Sequence, residues 1–580
     1  MGGIKEHEWL LSFEQNVGRP LRVLIIGNIA NNGYLNAKAL REYGVDAYVL
    51  AVNDYFIMSS PVWEEMDVSV EPDDAFFPDW WSCGVTPENP PWFVQGPTHA
   101  ALDYLAHYMN GATDEAKQAW LRIEFFRWVS FHKSERSAKW KALVDQSEED
   151  PQYPSYQLAR EWEIDEHSYA NFEAKSFGAG ILTKLKRNLG RAERKFGFLR
   201  KDRSSIPTPT AVDGGDTPML GARRQRPSDR HWSDLYQLRT YPDLGYWKKI
   251  YSEQFPDRLD ELEQSDINIW GGYPDIWREV FDQFDVVVAT ATYGAIPMLV
   301  GLSEYFCYEH GTIRDIPFEQ DGQGRVCALT YRNAAATFIT NTDVLPQAKL
   351  LGIEENRTYK IPHAFDSTGA IAQAEELSLQ HKMRTSPPTF IAPARQHWKE
   401  GYATWLKGNN LIVEAANRLK NEGYEFHVDF VEWGKEVLLT KQLIQELGCE
   451  GIFSWVPPMS KPLLRRAYAQ SVAVLDQYIM PAMGTATIEG LAAGRRVISY
   501  IDEPVLESFF GKAPPIMNAG SVDELYAQMR RVLEDVNDEL GIGAAGQSWV
   551  RRYHSSDAIV QIQISAFSEV LGDKPWEDVA

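Results

Sequence analysis

The stretch from 484 to 494 (GTATIEGLAAG) has the composition of a helix start that binds phosphate. Its first small residues leave backbone N–H groups free for phosphate oxygens, which the helix dipole also attracts; these residues are Gly484, Thr485, Ala486 and Thr487. Glu489, just over one turn later, is a carboxylate that can accept two ribose hydroxyl protons. A glycine-rich helix start alone is a weak signal, and the alternative is a small-residue helix packed on a sheet, with Glu489 solvated.

Two basic residues precede this stretch at places where strands end and helices begin. Arg395 follows a predicted strand, and Lys407 with Gly408 immediately precedes a predicted helix. A guanidinium binds phosphate in a bidentate manner and an ammonium acts as a point charge, so the pair suits a diphosphate. Either residue alone is typical of a charged surface. Together with Glu489 they form a nucleotide-diphosphate constellation.

The N-terminal half contributes a histidine and two loop glycines. His310 lies in Glu309-His310-Gly311 after a predicted strand, where a lone histidine is more often a structural hydrogen-bonding group than a catalytic one. Gly27 and Gly33 flank the loop after the first predicted strand, and a residue without Cβ lets a ligand approach the backbone.

Short apolar strands alternate with helical patterns in two sets, which predicts two parallel, doubly wound sheets and an α/β fold. Ligands of such folds sit at the carboxyl ends of the strands. A segment near 366–388 is predicted as the linker between the two sets. The first set is predicted at 22–27, 46–52, 285–289, 305–308, 336–340 and 358–361, and the second at 389–393, 426–431, 452–456, 472–476 and 496–500.

The range 55–242 is rich in Trp, Pro and acidic residues and is predicted to be a mainly helical insertion in the first domain. Within it, 181–203 predicts a basic amphipathic helix, and 204–228 predicts a mobile loop. Three interpretations of the basic helix are open: its charged face is only solvated, it binds the acceptor, or it lies on an anionic membrane surface.

Composition narrows the class of protein. At 580 residues the chain should hold two to four domains, and its net charge of -23 argues against nucleic acid as a general partner. The four cysteines are widely separated and form no C-x-x-C pair, which favours reduced thiols and a cytoplasmic location. The charged residues of 1–13 do not fit a signal peptide, and the apolar run 286–302 is short for a membrane span. We find no motif with metal-ligand spacing.

Four of these features together resemble glycosyltransferase family 4, also called glycosyl transferases group 1. They are Arg395 followed by Lys407-Gly408 before a helix, the G-x-x-x-x-E-x-x-A-x-G pattern of 484–494, YKIPHAFD at 359–366, and WVRRYH at 549–554. The resemblance covers about 284–571 well, the first 50 residues weakly and the insertion not at all.

The resemblance implies a GT-B fold, in which two Rossmann-like domains face a cleft. It predicts an N-terminal acceptor-side domain over 1–370, a C-terminal donor-binding domain over 371–545, and a C-terminal helix in 546–580 that crosses back to the first domain. Arg395 and Lys407 then bind the donor diphosphate, Glu489 binds ribose, and His310 lies near the transferred sugar. We therefore expect His310, Arg395 and Lys407 to be catalytic, with the helix start at 484–487 and the loop glycines Gly27 and Gly33 near the ligands.

The activity implied is retaining, metal-independent transfer of a sugar from a nucleotide-diphosphate sugar, a co-substrate, to a hydroxyl acceptor. Positive groups stabilise the departing diphosphate while the acceptor attacks the same face of the sugar. Many enzymes of the family act on lipid-linked acceptors at the cytoplasmic face of a membrane. The expected acceptor is therefore a carbohydrate or a lipid-linked glycan, with 181–203 as the candidate membrane contact.

One position departs from the family pattern. The family usually has a glutamate eight residues before the ribose-binding one, and this chain has Pro481 there. Asp476 and Gln477 are candidate substitutes for the missing carboxylate. Two other functions stay open: a nucleotide-sugar epimerase of the same fold, and a non-catalytic nucleotide-sugar-binding or scaffold protein.

Overall fold

The computed structural model describes most of the chain outside the predicted insertion. The described residues are 3–52, 56–69, 89–96, 98–131, 244–268, 274–380, 387–401 and 403–572, with isolated positions at 78, 80, 83, 85 and 270. Both sheets belong to one compact unit made of residues 1–132 and 232–580. The predicted basic helix at 181–203 and the predicted loop at 204–228 lie outside the described residues.

The first sheet has seven strands within the described residues, and all its pairings are parallel. The spatial order β3-β2-β1-β4-β5-β6-β7 reverses direction between β1 and β4, which makes that gap the switch point where ligands of such sheets bind. The strands are β1 Arg22–Ile26, β2 Asp46–Val52, β3 Phe93–Gln95, β4 Val286–Thr290, β5 Phe306–Tyr308, β6 Ala336–Ile339 and β7 Thr358–Lys360.

The second sheet repeats this topology with six described strands, again all parallel. Its order is β10-β9-β8-β11-β12-β13, so its switch point lies between β8 and β11. The strands are β8 Thr389–Ala392, β9 His427–Val431, β10 Phe453–Val456, β11 Ala473–Leu475, β12 Arg496–Ser499 and β13 Met517–Asn518.

Helices cover both faces of each sheet, as the apolar runs of the strands require. In β1, Val23 and Ile25 enter one hydrophobic core while Leu24 and Ile26 enter another. In β8, Phe390 and Ala392 face one core and Ile391 the other. The prediction of an α/β chain with two doubly wound, Rossmann-like sheets is confirmed.

The described helices connect the strands or pack at the ends of the chain. They are α1 Gly3–Val17, α2 Asn32–Glu42, α3 Pro61–Glu65, α4 Thr98–Met109, α5 Thr113–Phe131, α6 Leu244–Gln254, α7 Gln264–Asn268, α8 Pro274–Phe281, α9 Ala295–Val300, α10 Gly322–Asn333, α11 Leu345–Leu351, α12 Ser367–Gln380, α13 Asn409–Asn421, α14 Val437–Glu446, α15 Lys461–Gln470, α16 Thr485–Ala492, α17 Glu503–Phe510, α18 Val522–Glu534, α19 Ile542–Tyr553 and α20 Ser556–Leu571.

The segment predicted as a linker contains helix α12 over 367–380, a helix that the sequence did not predict. The Asp366 carboxylate accepts the Gly369 N–H at 2.8 Å, which caps the helix start. Ala370, Ile371 and Ala374 are buried against the core beside the second sheet. These small residues look like a linker in sequence and act as a packing face in the fold.

The range predicted as an insertion contains an element of the first sheet. Strand β3 pairs in parallel with β2 and extends the sheet by one strand. It has only three residues, and Pro90, Pro91 and Gly96 surround it, so the sequence offers no strand periodicity there. Elsewhere in this range the described residues form α3, α4 and α5.

The last helix, α20, packs on the first sheet although it follows the second one in the chain. The Phe567 ring lies 5.0 Å from the Phe306 ring and 6.1 Å from the Phe338 ring, measured between centroids. The Tyr43 hydroxyl of the segment after α2 donates to Asp557 at 2.9 Å. The two ends of the described chain thus share one core.

None of the helices in the part of the chain that the structure describes is both long enough and apolar enough to cross a membrane. Cys307, Cys327 and Cys449 are buried free thiols.

Replacing Phe567 by Ala should lower the free energy of unfolding by about 3–5 kcal/mol, because the removed ring leaves a cavity between α20 and the first sheet. Leu438→Ala is the matched control, since the Leu438 side chain is 79% exposed and its loss should be nearly neutral. Urea unfolding monitored by circular dichroism measures both. Equal stability of the two variants would contradict the packing of α20 on the first sheet.

Candidate functional site

The predicted cationic pair lies at the switch point of the second sheet. Arg395 follows β8, and the chain returns to the same edge at Lys407. The Lys407 ammonium donates to the Gln477 side-chain oxygen at 2.5 Å, and the Lys407 carbonyl accepts the Tyr478 N–H at 2.9 Å. Because Gln477 and Tyr478 follow β11, the carboxyl ends of the two switch-point strands are joined at Lys407.

Gly408 allows this connection. Its φ of 77° is in the left-handed region, and a Cβ there would lie 3.2 Å from Tyr478 Cβ. The chain can therefore turn directly from Lys407 into helix α13.

Charges around Lys407 come from both sheets. Burial lowers the pKa of Lys407; Asp476 raises it, while Arg395 and then Arg314 lower it further. Arg314 follows β5 of the first sheet, and its guanidinium is held by Asp343 at 2.5 and 2.7 Å. Arg314 was not predicted, because only the fold brings the end of β5 toward the second sheet.

Arg395 is less well satisfied than Lys407. Burial lowers the pKa of Arg395, and one of its terminal nitrogens donates to the Trp405 carbonyl at 3.4 Å. Among the described residues, no hydrogen-bond partner reaches its enclosed Nε. An enclosed guanidinium N–H without an acceptor is costly, so this position favours an anion.

Residues 398–400, between the two cations, are held by one carboxylate. Glu436 accepts the backbone N–H groups of Trp398, Lys399 and Glu400 at 2.5–2.8 Å. Burial alone would raise the pKa of Glu436, but these three bonds outweigh it and lower the pKa. The spacing of Arg395 and Lys407 therefore rests on a preorganised loop.

The predicted phosphate-binding helix start exists, and α16 begins at Thr485 after Gly484. Thr485 is exposed, and Gly484 and Ala486 are partly exposed. Thr487 differs: it is buried, its hydroxyl donates to the Asp476 carboxylate at 2.7 Å, and its N–H also bonds Asp476. Asp476 thus accepts from both donors of Thr487, and the phosphate contact that we expect at Thr487 stays a prediction.

Glu489 is buried, and both of its oxygens have protein partners. Lys461 donates at 2.6 Å and the Tyr468 hydroxyl at 3.3 Å. The solvated alternative for Glu489 is thus excluded. Glu64 of helix α3 also lies near Lys461 and Glu489. Burial raises the pKa of Glu64, Lys461 lowers it, and Glu489 raises it. The sequence offered no signal for this cluster, since its members are far apart in the chain.

The segment 56–69, which carries Glu64, connects the two sheets. Its Val68 exchanges two hydrogen bonds with Ser460, at 2.7 and 3.0 Å, and Asp67 forms an ion pair with Arg466 at 2.7 Å. At its other end, the carbonyls of Ser59 and Ser60 accept the side-chain amides of Asn28 and Asn31, both at 2.7 Å. The loop after β1 is thereby linked to the start of α15.

Gly27 begins this first loop and Gly33 lies in the first turn of α2, and protein atoms fill the space beside both. A Cβ on Gly27 would lie 2.2 Å from the Thr290 hydroxyl, and one on Gly33 would lie 2.4 Å from the Gly27 carbonyl. Close packing alone accounts for both glycines. The ligand contact that we expect there stays a prediction.

His310 lies at the carboxyl end of β5, stacked on Tyr308 with ring centroids 5.1 Å apart. Burial lowers the pKa of His310 to about 3, so the ring is neutral near pH 7. The preceding Glu309, which the sequence analysis did not select, is wholly buried. Burial raises its pKa to about 7, although Asn341 donates to one of its oxygens at 3.1 Å.

The structure thus brings Lys407, Arg395 and the start of α16 to one edge, with Glu489 behind them. Asp476 lies between Lys407 and Glu489 electrostatically, because Lys407 lowers the pKa of Asp476 and Glu489 raises it. A small pocket lined by Asp343, His363 and Met483 connects the first sheet to the residues before Gly484. Within the described residues no cluster of three or more His, Cys, Asp or Glu side chains suits a metal ion.

Comparisons with known proteins are limited to distant structural likeness. No family model matches the chain, and no curated protein does. Solved structures include HepE of Anabaena in complex with UDP, at 16% identity over 50% of this chain and 80% of that chain, with a TM-score of 0.39. A glycosyltransferase of Rickettsia africae is 16% identical over 52% of this chain and 80% of that chain, with a TM-score of 0.39. Sucrose-phosphate synthase of Thermosynechococcus elongatus is 15% identical over 51% of this chain and 77% of that chain, with a TM-score of 0.38. Likeness of this degree carries no argument about the reaction.

Three buried imidazoles should stay neutral in the folded chain. Burial lowers the pKa of His310 and His554 to about 3 and that of His363 to about 4. An unfolded histidine has a pKa near 6.5, so the unfolded state takes up protons first as the pH falls. Their contribution to stability is therefore present above about pH 6.5 and is lost as the pH falls toward the folded values.

The pH dependence can be assigned with one variant. His554→Phe keeps a ring beside Phe510 and Trp549 and removes the titration. Between pH 6.5 and 5.5 it should lose about 1 kcal/mol less stability than the wild type, as measured by urea unfolding. Nitrogen NMR of labelled histidines should show three neutral rings at pH 5.5. Identical pH profiles for both proteins would refute the assignment.

Proposed function

We propose that this chain is a glycosyltransferase that moves a sugar from a nucleotide-diphosphate sugar to a hydroxyl acceptor. The observation that carries the proposal is the enclosed Arg395 Nε without a partner among the described residues, beside Lys407 and the start of α16. A diphosphate supplies the anion that this edge of the second sheet is built to receive.

The leaving group is the first part of the proposed mechanism. As the bond between the sugar and the diphosphate breaks, negative charge grows on the diphosphate oxygens. Arg395 and Lys407 stabilise that charge, and Arg314 adds a cation from the first sheet. Gln477 holds the Lys407 ammonium and Asp343 holds the Arg314 guanidinium before the reaction, so these two cations need little reorganisation.

The acceptor is the second part. A hydroxyl approaches from the side of the first sheet, where a neutral His310 and the buried Glu309 lie at the end of β5. We propose retention of configuration, attack on the face from which the diphosphate leaves, and no metal requirement, as the resemblance to glycosyltransferase family 4 implies. Glu489 is the proposed ribose ligand, which requires ribose to compete with Lys461 for its oxygens.

The acceptor class and the place of action follow from the same resemblance. We propose a carbohydrate or lipid-linked acceptor in the cytoplasm, at the inner face of a membrane that 181–203 contacts. Liposome sedimentation of the wild type and of a chain lacking 181–203 tests the membrane contact. If the two proteins sediment with the liposomes to the same extent, the proposed contact through 181–203 is wrong.

Arg395→Ala and Lys407→Ala should each lower kcat by about 10²–10³-fold, the usual cost of losing one preorganised electrostatic group. Arg395→Lys should not restore activity, since an ammonium lacks the bidentate fork. Arg418→Ala is the matched control, because Arg418 on α13 is half exposed and paired with Asp523. Release of the nucleoside diphosphate measures the rate. Full activity in both site variants would refute the proposed site.

Nucleotide binding should be measurable without an acceptor. A nucleotide sugar at 100 times its dissociation constant should raise the free energy of unfolding by about 2.7 kcal/mol, and Arg395→Ala should abolish the effect.

Incubation with donor alone separates the alternatives. An epimerase converts the sugar, a transferase gives at most slow hydrolysis, and a binding protein leaves the donor intact even with acceptors present.

A further inference from the structure

Asp476 is an unexpected carboxylate in a site proposed to bind diphosphate. It follows β11 at the switch point of the second sheet and is 4% exposed. Its Oδ2 accepts the Thr487 hydroxyl at 2.7 Å, and the Thr487 N–H bonds it as well. The carboxylate thus lies at the positive end of helix α16, where the proposed function places phosphate.

The surroundings of Asp476 keep it in this position. Gly484 lies so close that a Cβ there would be 3.0 Å from Asp476 Oδ2. Lys407 faces it from the start of α13 and Glu489 from the second turn of α16. Tyr468 of α15 and Tyr478 also feel its charge. Among the described residues, Asp476 thus interacts with the cation Lys407, the carboxylate Glu489 and the phenols of Tyr468 and Tyr478.

We propose that Asp476 is a built-in counter-ion of the diphosphate site, which balances Lys407 and the α16 terminus in the free protein and takes up a proton when a nucleotide sugar binds. This inference rests on the proposed function of the same site. The proton comes from solvent and is held on the carboxyl group, and no bond of the ligand changes.

The direction of the effect follows from charge alone. A bound diphosphate adds negative charge beside Asp476 and draws on the same cation, Lys407. Both changes disfavour the ionised carboxylate, so its pKa rises on binding. Burial already raises the pKa of Asp476 in the free chain, although Lys407 and the two bonds from Thr487 lower it. Affinity should therefore increase as the pH falls, by at most about tenfold per pH unit when one full proton is taken up.

The uptake can be measured by isothermal titration calorimetry. The probe is UDP-glucose or GDP-mannose, whichever binds, because the diphosphate of a nucleotide sugar has no group that titrates near neutral pH. Titrations at one pH in two buffers with different heats of ionisation give the number of protons bound. The wild type should take up a measurable fraction of a proton between pH 6 and 8.

Two variants assign that proton. Asp476→Asn should abolish the uptake and bind the probe severalfold more tightly at pH 8. Thr487→Val keeps the carboxylate but removes one bond to its charged form, so the pH at which proton uptake is greatest should move upward. This variant serves if Asp476→Asn does not fold. Asp429→Asn is the control, since burial also raises the pKa of this half-buried carboxyl on strand β9, which β8 separates from β11. Its proton uptake should match the wild type.

The outcomes separate the two proposals. If the probe binds without proton uptake, or if Asp476→Asn takes up as many protons as the wild type, the inference about Asp476 is overturned while the nucleotide site stands. If neither nucleotide sugar nor nucleoside diphosphate binds the wild type, the proposed function itself fails, and the inference fails with it.

Discussion

Placement of charge at the carboxyl ends of β8 and β11 is the constraint on which the rest of the site depends. At a switch point two neighbouring strands lead their chains in opposite directions, which opens a crevice between them. Arg395 follows one strand and Asp476 the other, and Lys407 is tied to the second by its hydrogen bonds to Gln477 and Tyr478. Two cations and one carboxylate thus lie at the same edge of the sheet. Among the described residues, however, none accepts a hydrogen bond from the Arg395 Nε.

Carboxylates hold the structure on both sides of these charges. Glu436 accepts the backbone N–H groups of 398–400 between the two cations, and Asp343 holds Arg314 on the opposite sheet. Glu436 bonds backbone N–H groups and Asp343 bonds Arg314, so neither carboxylate is paired with Arg395 or Lys407. A bound anion can therefore pair with these two cations. The segment 56–69 adds a second connection by joining the loop after β1 to the start of α15. The two sheets therefore meet through polar contacts near the site.

Local sequence was sufficient for most of the fold. Runs of β-branched residues located most strands to within a residue or two, and the glycines before α13 and α16 located two helix starts. The short strand β3 and the helix α12 escaped because three residues carry no periodicity and a small-residue helix resembles a linker. The partners of Glu489 and the cation Arg314 also escaped, because their contacts join distant parts of the chain that only tertiary packing brings together. Sequence patterns thus identified which residues carry charge, while the structure showed which charges are already balanced.

Helix α20 has a consequence for the order in which the molecule forms. Its Phe567 completes the core that also contains Phe306 and Phe338, whereas the intervening chain builds the whole second sheet. During synthesis, the second sheet has all its strands before the first sheet has its last helix. The N-terminal core thus keeps an uncovered apolar face until residue 571 has left the ribosome, and apolar surface exposed in this way favours aggregation.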